Sequence, residues 1–270
     1  PSPGETLMAT AVQRGLGGKG ANQSVAAAAA GAEVHHIGAV GPDGDWALEA
    51  LERFGVGTAH VTKTDIPTAH AIIAVAQDGE NAIIVASGAN LAQSAAGLEA
   101  ALAGAKAGDT LLLQNETNLQ VEAAEMARAK KLRVIYSAAP FGLEPVQAIL
   151  PHIDILAVNT VEAAQLAAAL GAAPQDLGVP GVLVSAGKEG ALFYEKGSAN
   201  PIHAAAPPVE PLDTTGAGDT LLGYFAASLD EGREIPAALR CAVAAASLMV
   251  TRVGTADAIP TQAEVQAFLS

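Results

Sequence analysis

The sequence predicts an α/β fold: a mostly parallel central sheet with helices on both faces, plus a small β-sheet lid. Three observations carry this. First, short, continuous apolar runs at 109–114 (DTLLLQ), 132–138 (LRVIYSA), 153–158 (IDILAV) and 181–186 (GVLVSA) have strand length and suit strands buried on both faces. Second, helix-like segments follow the first three, at 119–130, 143–150 and 161–170. Third, residues 5–14 and 58–86 break this rhythm with several β-like segments and few helical signals.

The remaining elements follow along the chain. ETLMATAVQR (5–14) is extended in character, and its Thr, Gln and Arg suit an exposed sheet face. GLGGKGANQ (15–23) leads into a helix at 21–30, and VHHIGAV (34–40) reads as a strand. DGDWALEALERFG (43–55) has apolar residues at helical spacing and ends on glycine. TAHAIIAVAQDGENAIIVA (68–86) reads as two strands around the turn Asp78-Gly79. The C-terminal third, 216–250, reads as two long helices split by DEGREIP. The expectation is one domain over 1–270 with lid segments at approximately 5–16 and 58–86.

Half of the 270 residues are apolar and 16% are charged, an ordinary globular composition. The formal charge of -14 repels nucleic acid and anionic membranes, so neither is an expected partner. An anionic substrate would need a local cation or oriented backbone amides. Cys241 is the only cysteine, so no internal disulfide forms and the chain fits a reducing cytoplasm. No apolar run is long enough for a membrane span, and no signal peptide is visible. None of the six histidines pairs with Cys or carboxylates at metal spacing, and structural roles are expected for all of them.

Gly15, Gly17 and Gly20 spell the dinucleotide fingerprint G-x-G-x-x-G. The segment before it is too polar for the buried strand that fingerprint requires. A Walker loop fails as well, because Lys19 is followed by Gly20 rather than Ser or Thr. Two readings stay open: a tight turn into the helix, or a polar-ligand cradle. In the second, glycines admit a ligand to the backbone, Lys19 offers charge and Asn22 offers donors and an acceptor.

DTTGAGDTLLGYFAASL (213–229) carries the strongest signal. Gly216, Ala217 and Gly218 lead into the amphipathic run 220–229. Backbone amides at a helix start point outward with partial positive charge and could hold phosphoryl oxygens. Asp219, in the same first turn, is placed to take a proton from a hydroxyl nucleophile. The plainer alternative is that Asp219 complements the helix dipole and Asp213 starts a turn.

GGKGANQSVAAAAAGAEVHHIGAVGPDGDWA and DTTGAGDTLLGYF resemble the paired N- and C-terminal signatures of the ribokinase-like (PfkB) family of sugar kinases, over nearly the whole chain. Within the family, PSPGET, GGKGANQ, DGEN followed by GAN, and DTTGAGDT fall in the order and spacing of ribokinases. The resemblance implies an ATP-dependent sugar kinase that converts D-ribose to D-ribose 5-phosphate by in-line transfer. The alternatives are a family kinase for 2-keto-3-deoxygluconate, fructose or a nucleoside, or a catalytically inactive sugar- or nucleotide-binding protein. It implies that Asp219 is the base and that Gly216, Ala217 and Gly218 supply the anion hole. It places Gly18, Lys19, Gly20 and Asn22 in the sugar site rather than a dinucleotide site.

NTVE resembles the family's N-x-x-E motif, so Asn159 serves the nucleotide and Glu162 holds Mg²⁺ through water. Three residues apart at a helix start, the two side chains share one face, which also fits a plain capping box. SAGKEG resembles the nucleotide loop, implying roles for Ser185, Gly187, Lys188 and Gly190. Lys188 at a loop tip equally fits a solvated lysine. Glu116 stands where ribokinases place a glutamate against the sugar, and equally fits an exposed loop acid. Asp213 and the carbonyls of Thr215, Met249, Arg252 and Gly254 resemble ligands of an activating monovalent cation, K⁺. Where relatives often carry a hydroxyl residue, this chain has Ala258. Between Gly171 and Val182 it leaves little room for a helix usual in the family. The expected partners are ATP, a sugar, and a second copy joined through the β lid. Relatives carry about 20–25 further residues before PSPGET, roughly one strand and its loops, with an Asn and an Asp that grip the sugar. The expectation is a main sheet without that strand.

Overall fold

The structure, a computed structural model, describes residues 4–75 and 81–270. The start of PSPGET and the turn Asp78-Gly79, with most of DGEN, lie outside the described residues. Along the chain run α1 (Lys19–Ala29), β1 (Val34–Val40), α2 (Asp45–Arg53), β2 (Val56–Lys63), β3 (His70–Val75), β4 (Asn81–Ala86) and α3 (Ala95–Leu102). Then come β5 (Thr110–Gln114), α4 (Gln120–Ala129), β6 (Arg133–Ser137), α5 (Leu143–Ile149), β7 (Ile155–Asn159), α6 (Thr160–Leu170) and β8 (Gly181–Ser185). The chain closes with β9 (Ala191–Glu195), β10 (Ile202–Ala204), α7 (Ala217–Asp230), α8 (Ile235–Met249) and α9 (Gln262–Leu269).

The main sheet has the order β10-β9-β8-β7-β6-β5. Strands β5 to β8 are parallel, while β9 and β10 are antiparallel additions at one side. Alternation along the parallel strands explains why their sequences read as continuous apolar runs. Ile135, Ile155, Ala157 and Leu183 face a core shared with α1, α2, α7 and α8. Val134, Tyr136, Leu156, Val158, Val182 and Val184 face a second core under α3 to α6. Both faces are covered, so no position on these strands needs to be polar. No helix among the described residues is long and apolar enough to cross a membrane.

The expected lid is only partly a sheet. β3 and β4 form an antiparallel hairpin with Ile72 opposite Ile84 and Ile73 opposite Ile83. Neighbouring positions on a strand point to opposite faces, and all four isoleucines are more than half exposed. β2, which lies in the expected 58–86 segment, instead pairs in parallel with β1 as a separate two-stranded sheet. Residues 5–14 form no strand, contrary to their extended reading. Met8 and Val12 stand at 91% and 90% exposure, so no neighbouring ladder fixes this segment. Its described anchor is Arg14, which stacks 4.1 Å over Trp46 and donates to the Asp43 carbonyl at 3.3 Å.

A second difference concerns α7. The run 220–229 reads as amphipathic, yet every residue in it is buried. The helix is enclosed by α1, α8 and the sheet, so its polar members sit inside: the Thr220 hydroxyl donates to Met249 Sδ at 2.6 Å. The reason α1 can lie so close is Gly223. A Cβ there would come within 2.5 Å of Ala26 Cβ and 2.6 Å of the Gln23 carbonyl oxygen. Between 171 and 182 the chain makes only a 3₁₀ turn, Pro174–Asp176, as the short spacing suggests.

Gly223→Ala tests the helix contact. Overpacking of this kind costs about 1–3 kcal/mol, so the urea midpoint should fall with an unchanged m-value. An unchanged midpoint would mean the helices are not held at this distance.

Candidate active site

The close packing at Gly223 puts neighbouring turns of α1 and α7 in register. Asp219 lies four residues before Gly223, on the same helix face. Asn22 and Gln23 lie three to four residues before Ala26 on α1. The result is a carboxylate held from the side: Asn22 Nδ2 donates to Asp219 Oδ2 at 3.0 Å, and Gln23 Nε2 donates to Oδ1 at 2.9 Å. Burial pushes the Asp219 carboxyl above the ordinary carboxylate range; the Gln23 and Asn22 hydrogen bonds and the Lys19 charge oppose that rise.

Asp219 sits in the first turn of α7, which opens at Gly216 with φ 81°. That left-handed conformation suits glycine and turns the chain so that the first amides of the helix face outward. The Ala217 N–H closes a turn on the Thr214 carbonyl at 3.3 Å. The amides of Gly218 and Asp219 have no carbonyl one turn back inside the helix, so the helix end is an anion site in waiting.

In front of it lies a cavity of about 230 Å³ whose wall includes Lys19, Asn159, Glu162, Ser185, Gly216, Gly218 and Asp219. Residues scattered from position 19 to position 219 thus meet on one surface, at the carboxyl ends of β7 and β8. Lys19 Nζ pairs with Glu116 Oε1 at 3.2 Å, and the Lys19 amide donates to Glu116 Oε2 at 3.3 Å. Glu116 is therefore not a free loop acid. Gly18 caps α1 at φ 93°, and a Cβ on Gly20 would come 3.0 Å from Gln114 Oε1. The Asn22 Oδ1 atom is buried without a partner, an acceptor left for a hydroxyl.

The capping-box reading of NTVE is what the structure shows: Asn159 and Glu162 form a reciprocal box on α6, at 2.8 and 2.9 Å, and the same two residues also face the cavity. The nucleotide-loop candidates divide. Ser185 lines the cavity, whereas Gly187 and Lys188 sit on an exposed 3₁₀ turn and do not. Gly190 is buried where a Cβ would strike the Ala204 carbonyl, so it has a packing reason of its own.

Asp213 ties two loops together. Its Oδ1 accepts from the Thr215 amide at 2.9 Å and its Oδ2 from the Gly254 amide at 3.1 Å. Burial pushes its carboxyl up, but the hydrogen bonds from Thr215 and Gly254 outweigh that and leave it below the ordinary value. The Met249 carbonyl accepts from the Arg252 amide at 2.9 Å, while the Arg252 guanidinium pairs with Glu264 at 2.6 Å. Among the described residues, no three His, Cys, Asp or Glu side chains gather into a metal cage. His36, half-buried beside Ser24 with Nδ1 at 2.8 Å from the hydroxyl, has its pKa lowered to about 4 by desolvation.

Two site residues went unnoticed in the sequence: Gln23, and Gln114, whose Nε2 donates to Gln23 Oε1 at 2.7 Å. The signal was available only as adjacency, since Gln23 follows Asn22 and Gln114 opens the segment that ends in Glu116.

A model of the pfkB family of carbohydrate kinases matches residues 2–262. The ribokinase of Bacillus subtilis is 38% identical over 100% of this chain and 93% of its own length. That of Haemophilus influenzae is 36% identical over 99% of this chain and 91% of its own length. The solved structure of Arabidopsis thaliana ribokinase complexed with ribose and ATP superposes with a TM-score of 0.88 at 32% identity, covering 100% of this chain and 92% of that one.

The contributions of Asn159 and Glu162 to the capping box can be separated by substitution. Asn159→Ala removes the cap and should cost about 1 kcal/mol in thermal stability. Glu162→Gln retains a side chain suited to the box and should stay within about 0.5 kcal/mol of the parent. Equal losses in melting experiments would show that the charge of Glu162, not the box, stabilises α6.

Proposed function

This chain belongs to the pfkB family of carbohydrate kinases, and from that premise we propose that it transfers the γ-phosphoryl group of ATP to the 5-hydroxyl of D-ribose. The observation that carries the reading is the half-buried Asp219 carboxylate, gripped by Asn22 and Gln23 in the first turn of α7. In support stands the likeness to ribokinases over nearly the full length of each chain.

Asp219 takes the proton of the 5-hydroxyl as that oxygen attacks the γ-phosphorus in line. The new O–P bond forms as the bond to the β–γ bridging oxygen breaks, and ADP leaves with that electron pair. Gly216, Ala217 and Gly218 form the anion hole for the transferring group, with Gly218 the best placed because the Ala217 amide is partly engaged. Lys19, Glu116 and Asn22, with the backbone at Gly18 and Gly20, hold the sugar. The unpaired Asn22 Oδ1 supplies an acceptor for one hydroxyl. Asn159 and Ser185, on the cavity wall, contact the nucleotide; Gly187 and Lys188, on the exposed turn beyond that wall, reach it only from outside the cavity, and Gly190 shapes the loop.

Glu162, with one oxygen already taken by the Asn159 amide, suits Mg²⁺, an ion that keeps several of its waters. Bound Mg²⁺ supplies neutralisation of phosphate charge. Asp213 ties the Thr215 and Gly254 loops together through their amides, and the carbonyls of Thr215, Met249, Arg252 and Gly254 are assigned with it to K⁺, a cation that prefers hard oxygen ligands. The reaction is assigned to the cytoplasm, in keeping with a lone, buried Cys241. The β3–β4 hairpin pairs with that of a second copy as a dimer clasp, because exposed apolar surface on both its faces needs a cover.

Asp219→Asn tests the mechanism: turnover with ribose should fall by about three orders of magnitude or more while ATP affinity measured by calorimetry stays within about twofold. Turnover close to the parent's would remove Asp219 from the role of base. For the clasp, Ile84→Lys should convert a dimer into a monomer in sedimentation velocity. A parent that sediments as a monomer would refute it.

A further inference from the structure

Gln23 is a polar side chain at 1% exposure, buried in α1 beside Asn22, Val25, Ala26 and Ala27. A buried primary amide must satisfy both ends or cost free energy. Here both ends are used, in one direction. Gln114 Nε2 donates to Gln23 Oε1 at 2.7 Å, and Gln23 Nε2 donates to Asp219 Oδ1 at 2.9 Å. The direction is forced by chemistry, since an ionised carboxylate can only accept. Asp219 therefore draws the NH₂ end of Gln23, which leaves Oε1 pointing back and in need of a donor. Gln114, at the end of β5, is that donor.

We propose that Gln114 and Gln23 form a head-to-tail amide relay that orients Asp219 and holds it ionised, which makes both of them positioning residues for the phosphoryl transfer. The inference rests on the reading of Asp219 as the base. Three consequences follow from the geometry. The relay fixes the rotation of the carboxylate, because Gln23 and Asn22 take one oxygen each. It links the sheet to the base, so that β5, α1 and α7 form one unit. It also opposes the desolvation that Asp219 suffers, and Gln23 is the strongest of the groups that do so. The charged groups around Asp219 are Lys19 on α1, which favours its ionised form, Glu116 after β5, which disfavours it, and Glu162 on the cavity wall contributed by α6.

The test is the titration of the Asp219 carboxyl carbon, followed by ¹³C NMR in the full chain labelled at aspartate, with Asp219→Asn assigning the resonance. Gln23→Leu removes a hydrogen bond to a charged acceptor and should raise the midpoint by about one pH unit. Gln114→Leu should raise it by less, and should add nothing in the Gln23→Leu background, because Gln114 acts only through Gln23. The acidic limb of kcat/KM for ribose should move up by the same amount. At the optimum, kcat should fall about tenfold while KM for ATP stays within about twofold.

An unmoved midpoint in Gln23→Leu overturns the relay, as does an effect of Gln114→Leu that is equal in both backgrounds. Should Gln23→Leu fail to fold, the half-exposed Gln114 still decides: an unmoved midpoint in Gln114→Leu overturns the relay. A parent chain without sugar kinase activity would defeat the proposed function but not the relay, since the midpoint is read without turnover.

Discussion

The site depends on how closely α1 and α7 approach each other. With no side chain at Gly223, the backbone of α1 lies against α7 at Gln23, Ala26 and Ala27. One turn away, this contact delivers two amide side chains to Asp219. The alanine abundance of the chain serves the same end. Small residues let helices pack closely without large aromatic spacers, and the aromatic content is only 3%. A bulkier pair of helices would hold Asn22 and Gln23 out of reach of the carboxylate.

That proximity also resolves an electrostatic conflict. A base buried at the end of a helix must be removed from water to work in a dry site, yet burial disfavours its charge. The hydrogen bonds from Gln23 and Asn22 and the Lys19 charge oppose the rise that burial imposes on the Asp219 carboxyl. In a chain with a formal charge of -14, the helix-start amides of Gly218 and Asp219 and the Lys19 cation, paired with Glu116, are local positive features beside the cavity.

The parallel strands were legible because each is buried on both faces and so carries a continuous apolar run, as at 134–136 and 155–158. DTTGAGD was legible because a glycine-rich helix start with an acid in its first turn has few other uses. What stayed hidden was tertiary. Residues 5–14 look extended but have no neighbouring ladder, and an isolated segment cannot reveal that. The α7 surface looks amphipathic because Thr220 and Ser228 are polar, yet both are buried. For NTVE the sequence left a capping box and a nucleotide and Mg²⁺ role open; the structure shows the box, with both side chains also on the cavity wall. Gln23 could not be distinguished from an ordinary surface glutamine until Gly223 placed α7 beside it.

Together these elements assemble a site suited to moving phosphate from ATP to a sugar hydroxyl. ³¹P NMR of the purified chain incubated with ribose, ATP, Mg²⁺ and K⁺ tests that transfer most directly. A phosphomonoester coupled to the C5 protons of ribose, formed in equal amount with ADP, is the expected product. ADP accompanied only by inorganic phosphate, or ATP left intact, would contradict the transfer.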